Sequence, residues 1–199
     1  MLSQLRARIK NRLLTRAAPP WINLPNLFTL LRLVLVPAII RAILDARHWL
    51  ALALFAAAAA TDVLDGAVAR RFGGATQAGA YLDPIADKCL LSGVFLALAA
   101  AGAAPWWFVA VVFGRDLYIL LGVAAFLLFT PLRKFPPSRL GKLSTFVQIL
   151  TATVWMARDA LAIRVLDSLS LAILWLCVVS TIWSGLHYTW LGLRMAREH

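Results

Sequence analysis

Charge is scarce in this chain, and negative charge scarcest of all. Of 199 residues only 15% are charged, and nine acidic residues stand against twenty Lys and Arg. An ordinary soluble domain carries about a quarter charged residues. Apolar side chains take their place, at 62% of the sequence, with a mean hydropathy of +0.80. These values exclude a disordered chain, a collagen-like chain and a water-soluble domain. Residues 89–114 and 168–193 contain no Asp, Glu, Lys or Arg at all, and about 20 apolar residues suffice for a helix to cross a bilayer. The expected fold class is therefore all-α, a polytopic membrane protein, short enough for a single helical bundle.

Cysteine and histidine are nearly absent, with two and three copies. Cys89 and Cys177 fall in apolar helical stretches, with neither metal-ligand spacing nor a disulfide framework. The first 16 residues carry Arg6, Arg8, Lys10, Arg12 and Arg16 but no compact apolar run before a small-residue cleavage site, so no cleaved signal peptide is expected. A net charge of +11 would suggest nucleic acid in a soluble protein. Here no basic stripe carries interleaved aromatics. The cations are expected to flank membrane helices and face anionic lipid, with no nucleic-acid partner.

The expected layout has two parts. Residues 1–20 hold an interfacial amphipathic helix, because Leu2, Leu5, Ile9 and Leu13 recur at helical spacing between cations. Residues 21–199 hold a catalytic domain of six transmembrane helices, near 24–44, 48–69, 79–102, 105–129, 143–163 and 168–193. The breaks are polar at 45–48, Gly-rich at 73–79, Gly- and Pro-bearing at 102–105, Pro- and Lys-rich at 131–142 and charged at 158–167. Trp21, Trp49, Trp106 and Trp107 fall at helix ends, where indoles favour the interface.

Six spans put both termini on one side. That side collects the five N-terminal cations, Arg70, Arg71, Arg133, Lys134, Arg139, Lys142, Arg194 and Arg197; the other holds only Arg41, Arg47, Arg158 and Arg164. The imbalance puts both termini in the cytoplasm of an integral protein of the bacterial inner (plasma) membrane.

Four of the nine acidic residues crowd into the 26 residues from Asp62 to Asp87. Carboxylates at membrane depth are costly and mark function by default. Asp62 and Asp65 are spaced i, i+3, and Asp83 and Asp87 i, i+4, so each pair shares a helix face. A short turn with Gly73, Gly74 and Gly79 is expected to join the two helices and let the pairs face one cavity. Four carboxylates without His or Cys make an all-oxygen site, suited to Mg²⁺, Mn²⁺ or Ca²⁺ rather than Zn²⁺. Room for two ions fits phosphoryl transfer. Pairing with Arg70, Arg71 and Lys88 alone explains one or two of these aspartates, not two same-face pairs. A divalent-cation transporter is the alternative of a different class. Against it, all four carboxylates lie near one membrane face and Arg70 stands among them.

The segment DVLDGAVARRFGGATQAGAYLDPIAD resembles the signature of the CDP-alcohol phosphotransferase family, D-x2-D-G-x2-A-R-x8-G-x3-D-x3-D. The match holds at Asp62, Asp65, Gly66, Ala69, Arg70, Gly79, Asp83 and Asp87. The resemblance implies an enzyme that moves a substituted phosphate from a CDP-linked donor to an alcohol and releases CMP. It implies that Asp62, Asp65, Asp83 and Asp87 bind two divalent cations, Mg²⁺ or Mn²⁺, and that Asp87 also takes the acceptor's proton. It further implies that Asp62, Gly66, Arg70 and Gly79 cradle the CDP. A second similar stretch is Pro25-Asn26-Leu27-Phe28-Thr29, with Arg32 one turn on, which implies Asn26 and Thr29 beside the nucleotide. An Asn cap on the first helix explains the same stretch without a ligand.

With the resemblance, the apolar body and the interfacial helix imply a lipid donor, CDP-diacylglycerol, within a membrane lipid environment, although the family also includes members that use soluble CDP-alcohols and lipid acceptors. For the acceptor, Arg115, Arg139 and Lys142 form a basic group able to hold a phosphate, although positive-inside placement explains any one of them. Residues 138–148, SRLGKLSTFVQ, resemble phosphatidylglycerophosphate synthases and the related cardiolipin synthases, and Gly114-Arg115-Asp116 is nearer the latter. Glycerol 3-phosphate is the leading acceptor and phosphatidylglycerol the runner-up. A homodimer is among the expected assemblies.

Overall fold

A chain this apolar gains most by closing every backbone hydrogen bond within its own segments, and helices do so. In the computed structural model the described backbone covers residues 24–72, 77–129 and 138–197, with side chains described for 29–61, 85–126, 128, 138 and 140–195. The six helices there are α1 (Leu24–Leu44), α2 (His48–Phe72), α3 (Gln77–Ala100), α4 (Trp106–Phe129), α5 (Arg139–Leu161) and α6 (Arg164–Arg197). No strand occurs among the described residues. The expected interfacial helix at 1–20 lies outside them.

Three breaks are capped by backbone in the left-handed region. Ala46 (φ 54°) and Gly102 (φ 77°) each stand at the end of a Schellman motif. Arg47 N donates to Ala42 O at 2.9 Å and Ala46 N to Ile43 O at 3.1 Å, and the same pattern links Ala103 to Leu98 at 2.8 Å and Gly102 to Ala99 at 3.1 Å. Ala162 (φ 52°) closes α5 with its N–H on Arg158 O at 3.0 Å. The charged break expected over 158–167 is therefore only two residues wide. Arg158 and Asp159 pair with each other at 2.8 Å and stay inside the last turn of α5.

Two further boundaries differ from the expectation. Gly79 lies within α3, not in the joining turn. Arg139 and Lys142 lie in the first turn of α5, not in the preceding break. There Ser138 acts as N-cap, its Oγ accepting from Gly141 N at 2.9 Å.

α1 packs on α2 and α3, α5 on α6, and α4 leans on α6; α2 also meets α5. At the centre Phe95 of α3, Phe108 of α4 and Trp155 of α5 meet edge to face, with centroids 5.3 Å apart for Phe95–Phe108 and 4.9 Å for Phe108–Trp155. Trp155 Nε1 donates to Ser170 O of α6 at 3.3 Å. The hydroxyls of Thr151, Thr153 and Thr189 donate to carbonyls one turn back, at 2.7, 2.8 and 3.1 Å. Such bonds hide polar groups inside an apolar bundle.

Much of the described surface is apolar as well. Leu171, Trp175, Val179, Ile182, Leu186, Trp190 and Leu193 recur at helical spacing and are all exposed on α6. Among the described residues two helices, Trp106–Phe126 and Arg164–Met195, are long and apolar enough to cross a membrane by length and composition. The 34 residues of α6 extend over about 50 Å at ~1.5 Å per residue.

Candidate functional site

The four motif aspartates fall on two helices, in the cytoplasm-directed half of α2 and the first half of α3 by the expected orientation. Helix register keeps Asp62 and Asp65 one turn apart, and likewise Asp83 and Asp87. Of their side chains only that of Asp87 is described, as are none of Gly66, Arg70 and Asn26. Asn26 is the third residue of α1, inside the helix and past its N-cap position. Thr29, one turn before Arg32, is buried.

Asp87 meets α1. Arg32 Nη1 donates to Asp87 Oδ1, and the arginine side chain is 0% exposed against 43% for the aspartate. A guanidinium inside an apolar bundle is costly unless paired, and this pair brings together residues 55 apart in sequence.

The next residue turns the other way. Lys88 Nζ pairs with Asp116 Oδ2 of α4. Asp116 Oδ1 also accepts from Arg115 Nη1 at 2.9 Å. The Arg115 side chain is 10% exposed, crosses to α6, and donates through Nη2 to Ser184 Oγ. Its Cζ lies 6.0 Å from the centroid of the Tyr188 ring. Tyr188 Oη in turn accepts from Ser138 N at 3.1 Å, at the start of α5. One connected set of polar contacts therefore runs from Lys88 on α3 through α4 and α6 to the N-terminus of α5.

Gly141 makes that last contact possible. A Cβ there would stand 3.0 Å from Tyr188 Oη, 3.1 Å from Cε2 and 3.2 Å from Ser138 Oγ. One turn further into the bundle, Ser144 and Thr181 hydroxyls lie 3.5 Å apart, and Gln148 is fully buried. Arg115 Nε and Gln148 Nε2 are buried with no acceptor among the described residues.

Arg115 is the tenth of the 24 residues of α4, near mid-helix. Lys142 is exposed, and the side chain of Arg139 is not described. The contacts connect Arg115 and the first turn of α5 through Tyr188. Sequence reasoning passed over Tyr188, Ser184, Gln148 and the Arg32–Asp87 pair. Only Arg32 carried a signal, as a charge in the middle of an apolar helix.

The carboxylates are hard oxygen donors and fit divalent magnesium or manganese in kind. Among the described residues no group of three or more His, Cys, Asp or Glu gathers, because three of the four aspartate side chains lie outside that set.

Comparison with known proteins agrees with the motif. A probable phosphatidylglycerophosphate synthase of Mycobacterium tuberculosis is 42% identical over 133 residues, 63% of this chain and 62% of its own. A CDP-diacylglycerol–glycerol-3-phosphate 3-phosphatidyltransferase of Rickettsia felis is 31% identical over 170 residues, 83% of this chain and 93% of its own. A CMP-forming cardiolipin synthase of Rattus norvegicus is 31% identical over 178 residues, 81% of this chain and 58% of its own. The match thus spans less than two thirds of the mycobacterial and rat proteins. The family model for CDP-alcohol phosphatidyltransferase matches residues 22–183, a stretch that runs from the start of α1 into α6 and takes in the aspartate motif, Arg32 and Arg115. With that much of the chain matched, the protein belongs to the CDP-alcohol phosphatidyltransferase family.

Proposed function

We propose that the protein transfers a phosphatidyl group from CDP-diacylglycerol to glycerol 3-phosphate and releases CMP. The observation that carries this reading is the position of Asp87. Its half-exposed carboxylate is backed by Arg32, and the residue after it begins the charged set in which Asp116 pairs with both Lys88 and Arg115. The proton acceptor thus stands next on α3 to the lysine that ties, through Asp116, to Arg115. The names carried by the Mycobacterium and Rickettsia relatives support the same acceptor.

In this reading Asp87 takes the proton of the acceptor hydroxyl. The freed oxygen attacks the phosphorus bound to the diacylglycerol, the phosphoanhydride bond to CMP breaks, and its electron pair leaves with CMP. Asp62, Gly66, Arg70 and Gly79, with Asn26 and Thr29, line the nucleotide side. Arg70 contributes a forked contact to the diphosphate. Asp62, Asp65, Asp83 and Asp87 would hold two divalent cations, Mg²⁺ or Mn²⁺, which when bound balance the charge that develops on the phosphates. Arg115, Arg139 and Lys142 hold the acceptor's phosphate. Arg115 gives one N–H of Nη1 to Asp116 and one of Nη2 to Ser184, which leaves a second N–H on each and that of Nε, while Lys142 is exposed.

The setting is an integral membrane enzyme of six spans, active site and both termini cytoplasmic, with residues 1–20 at the interface. The exposed apolar stripe of α6 supports it, since water would penalise such a surface and acyl chains would not.

A second reading is cardiolipin synthesis with phosphatidylglycerol as acceptor. It is favoured by Gly114-Arg115-Asp116, the stretch nearer the cardiolipin synthases, and by the rat relative. Purified protein given CDP-diacylglycerol, Mg²⁺ or Mn²⁺ and one acceptor at a time decides between them. CMP release with glycerol 3-phosphate alone supports the first reading. Release only with phosphatidylglycerol supports the second, and release with neither defeats both.

A further inference from the structure

We infer that Arg32 is the positioning residue of Asp87, fixing the direction of that carboxylate from the hidden side of α3. The inference rests on the reading of Asp87 as the base and adds to it a residue on another helix.

The asymmetry of the pair is the first observation. Arg32 is wholly buried and Asp87 is half open. A surface ion pair has two exposed partners and little hold on geometry. Here the cation is wholly buried, and of the two partners only the carboxylate is open. Arg32 is therefore closed off from solvent, while the carboxylate it holds is not.

The second observation is how α1 comes to lie there. Arg32, Val36 and Ile40 are spaced i, i+4, i+8 and form one stripe of α1. Val36 and Ile40 press on Gly93 of α3, where a Cβ would stand 2.9 Å from Ile40 Cδ1 and 3.3 Å from Val36 Cγ1. The missing side chain lets the two helices close up. One turn along the same stripe, Arg32 arrives at Asp87, six residues before Gly93. The ion pair is thus in register with a tight apolar contact.

The third observation is on the opposite flank. Lys88 is tied to Asp116 of α4. Consecutive residues of α3 are gripped from α1 and from α4, which fixes how far the helix can turn about its own axis. The direction of the Asp87 carboxylate then follows from the two pairs together. Charge neutralisation alone requires neither this register nor this second grip.

A base displaced by about 1 Å loses on the order of 100-fold in rate, and a residue that never touches substrate leaves KM alone. The test uses the full chain, purified, as Arg32→Met, Arg32→Lys, Asp87→Asn and Arg32→Met/Asp87→Asn, each with Tm, kcat and KM for both substrates. Arg32→Met is expected to lower kcat about 10- to 100-fold with both KM values within about threefold of wild type. Arg32→Lys should recover part of kcat, since it restores the charge without the planar fork. Asp87→Asn on the Arg32→Met background should cost little beyond Asp87→Asn alone, as for residues acting as a unit.

The inference is overturned if Arg32→Met keeps more than about half of wild-type kcat, if the two losses multiply, or if KM moves while kcat does not. Should Arg32→Met fail to fold, Arg32→Lys decides: lowered kcat at unchanged Tm and KM supports the inference, unchanged kcat defeats it. Should wild type release no CMP with any acceptor, the proposed function is what fails. The pairing is then judged by melting, where non-additive Tm shifts support it and additive shifts overturn it.

Discussion

Asp116 accepts two cations at once, Lys88 from α3 and Arg115 from its own helix. That leaves Arg115 with its stem against Gly185 of α6, where a Cβ would meet its Cγ at 3.8 Å, and its plane near Tyr188. Tyr188 is in turn seated on Gly141. Gly141→Ala would drive a Cβ to within 3.0 Å of a phenol oxygen and 3.1 Å of its ring, and a ring cannot swing aside as a flexible chain end does. We expect this substitution to destabilise by roughly 1–3 kcal/mol and to raise KM for the phosphorylated acceptor, read by Tm and steady-state kinetics. Unchanged values in both would show that Tyr188 moves freely. For the acceptor phosphate itself, Arg115→Ala, Arg139→Ala and Lys142→Ala should each raise the KM for glycerol 3-phosphate. One charge-assisted contact is worth roughly 1.5–3 kcal/mol, or about 10- to 100-fold in affinity. KM for CDP-diacylglycerol should stay within twofold or so. Wild-type values in all three variants would reduce the cluster to a topology signal.

Two of the helix ends use alanine where glycine is the easy residue. Ala46 and Ala162 hold φ of 54° and 52°, a region that costs an L-residue roughly 1–2 kcal/mol. Ala46→Gly and Ala162→Gly are expected to stabilise by about 1 kcal/mol each, raising Tm by roughly 2–4 °C in a chain of this size. A fall in Tm would mean that the lost side chains matter more than the backbone. At Gly93 the nearest atom is the far end of Ile40, so Gly93→Ala should be tolerated. Gly93→Leu should part α1 from α3 and lower Tm and kcat together; retention of both would refute the close approach.

All six helices were legible in the sequence, because long apolar runs are broken by Gly, Pro and charge. Their ends were less so. Arg158 and Asp159 satisfy each other at 2.8 Å within a helix, so charge there did not mark a loop. The aspartate motif was legible by spacing. The partners that orient it were not. Arg32 and Asp87 are 55 residues apart, Arg115 and Ser184 69, Ser138 and Tyr188 50. Such pairs depend on how helices pack, and local periodicity says nothing of that.

At the scale of the molecule, scarce charge is concentrated. The described acidic side chains are nearly all paired with cations, as in Arg32–Asp87, Arg41–Asp45, Lys88–Asp116 and Arg158–Asp159. The outer faces of α4 and α6 carry Leu, Ile, Val and Trp instead. Among the described residues this distribution leaves apolar outer faces on α4 and α6 and gathers the charges into pairs between helices. In the proposed reaction glycerol 3-phosphate receives the phosphatidyl group. The most direct measurement is the mass of the lipid formed from CDP-diacylglycerol and isotopically labelled glycerol 3-phosphate in the presence of Mg²⁺ or Mn²⁺. The account predicts a labelled phosphatidylglycerophosphate formed in equal amount with CMP. An unlabelled lipid product, or label recovered only as free glycerol 3-phosphate while phosphatidylglycerol supports CMP release, would contradict it.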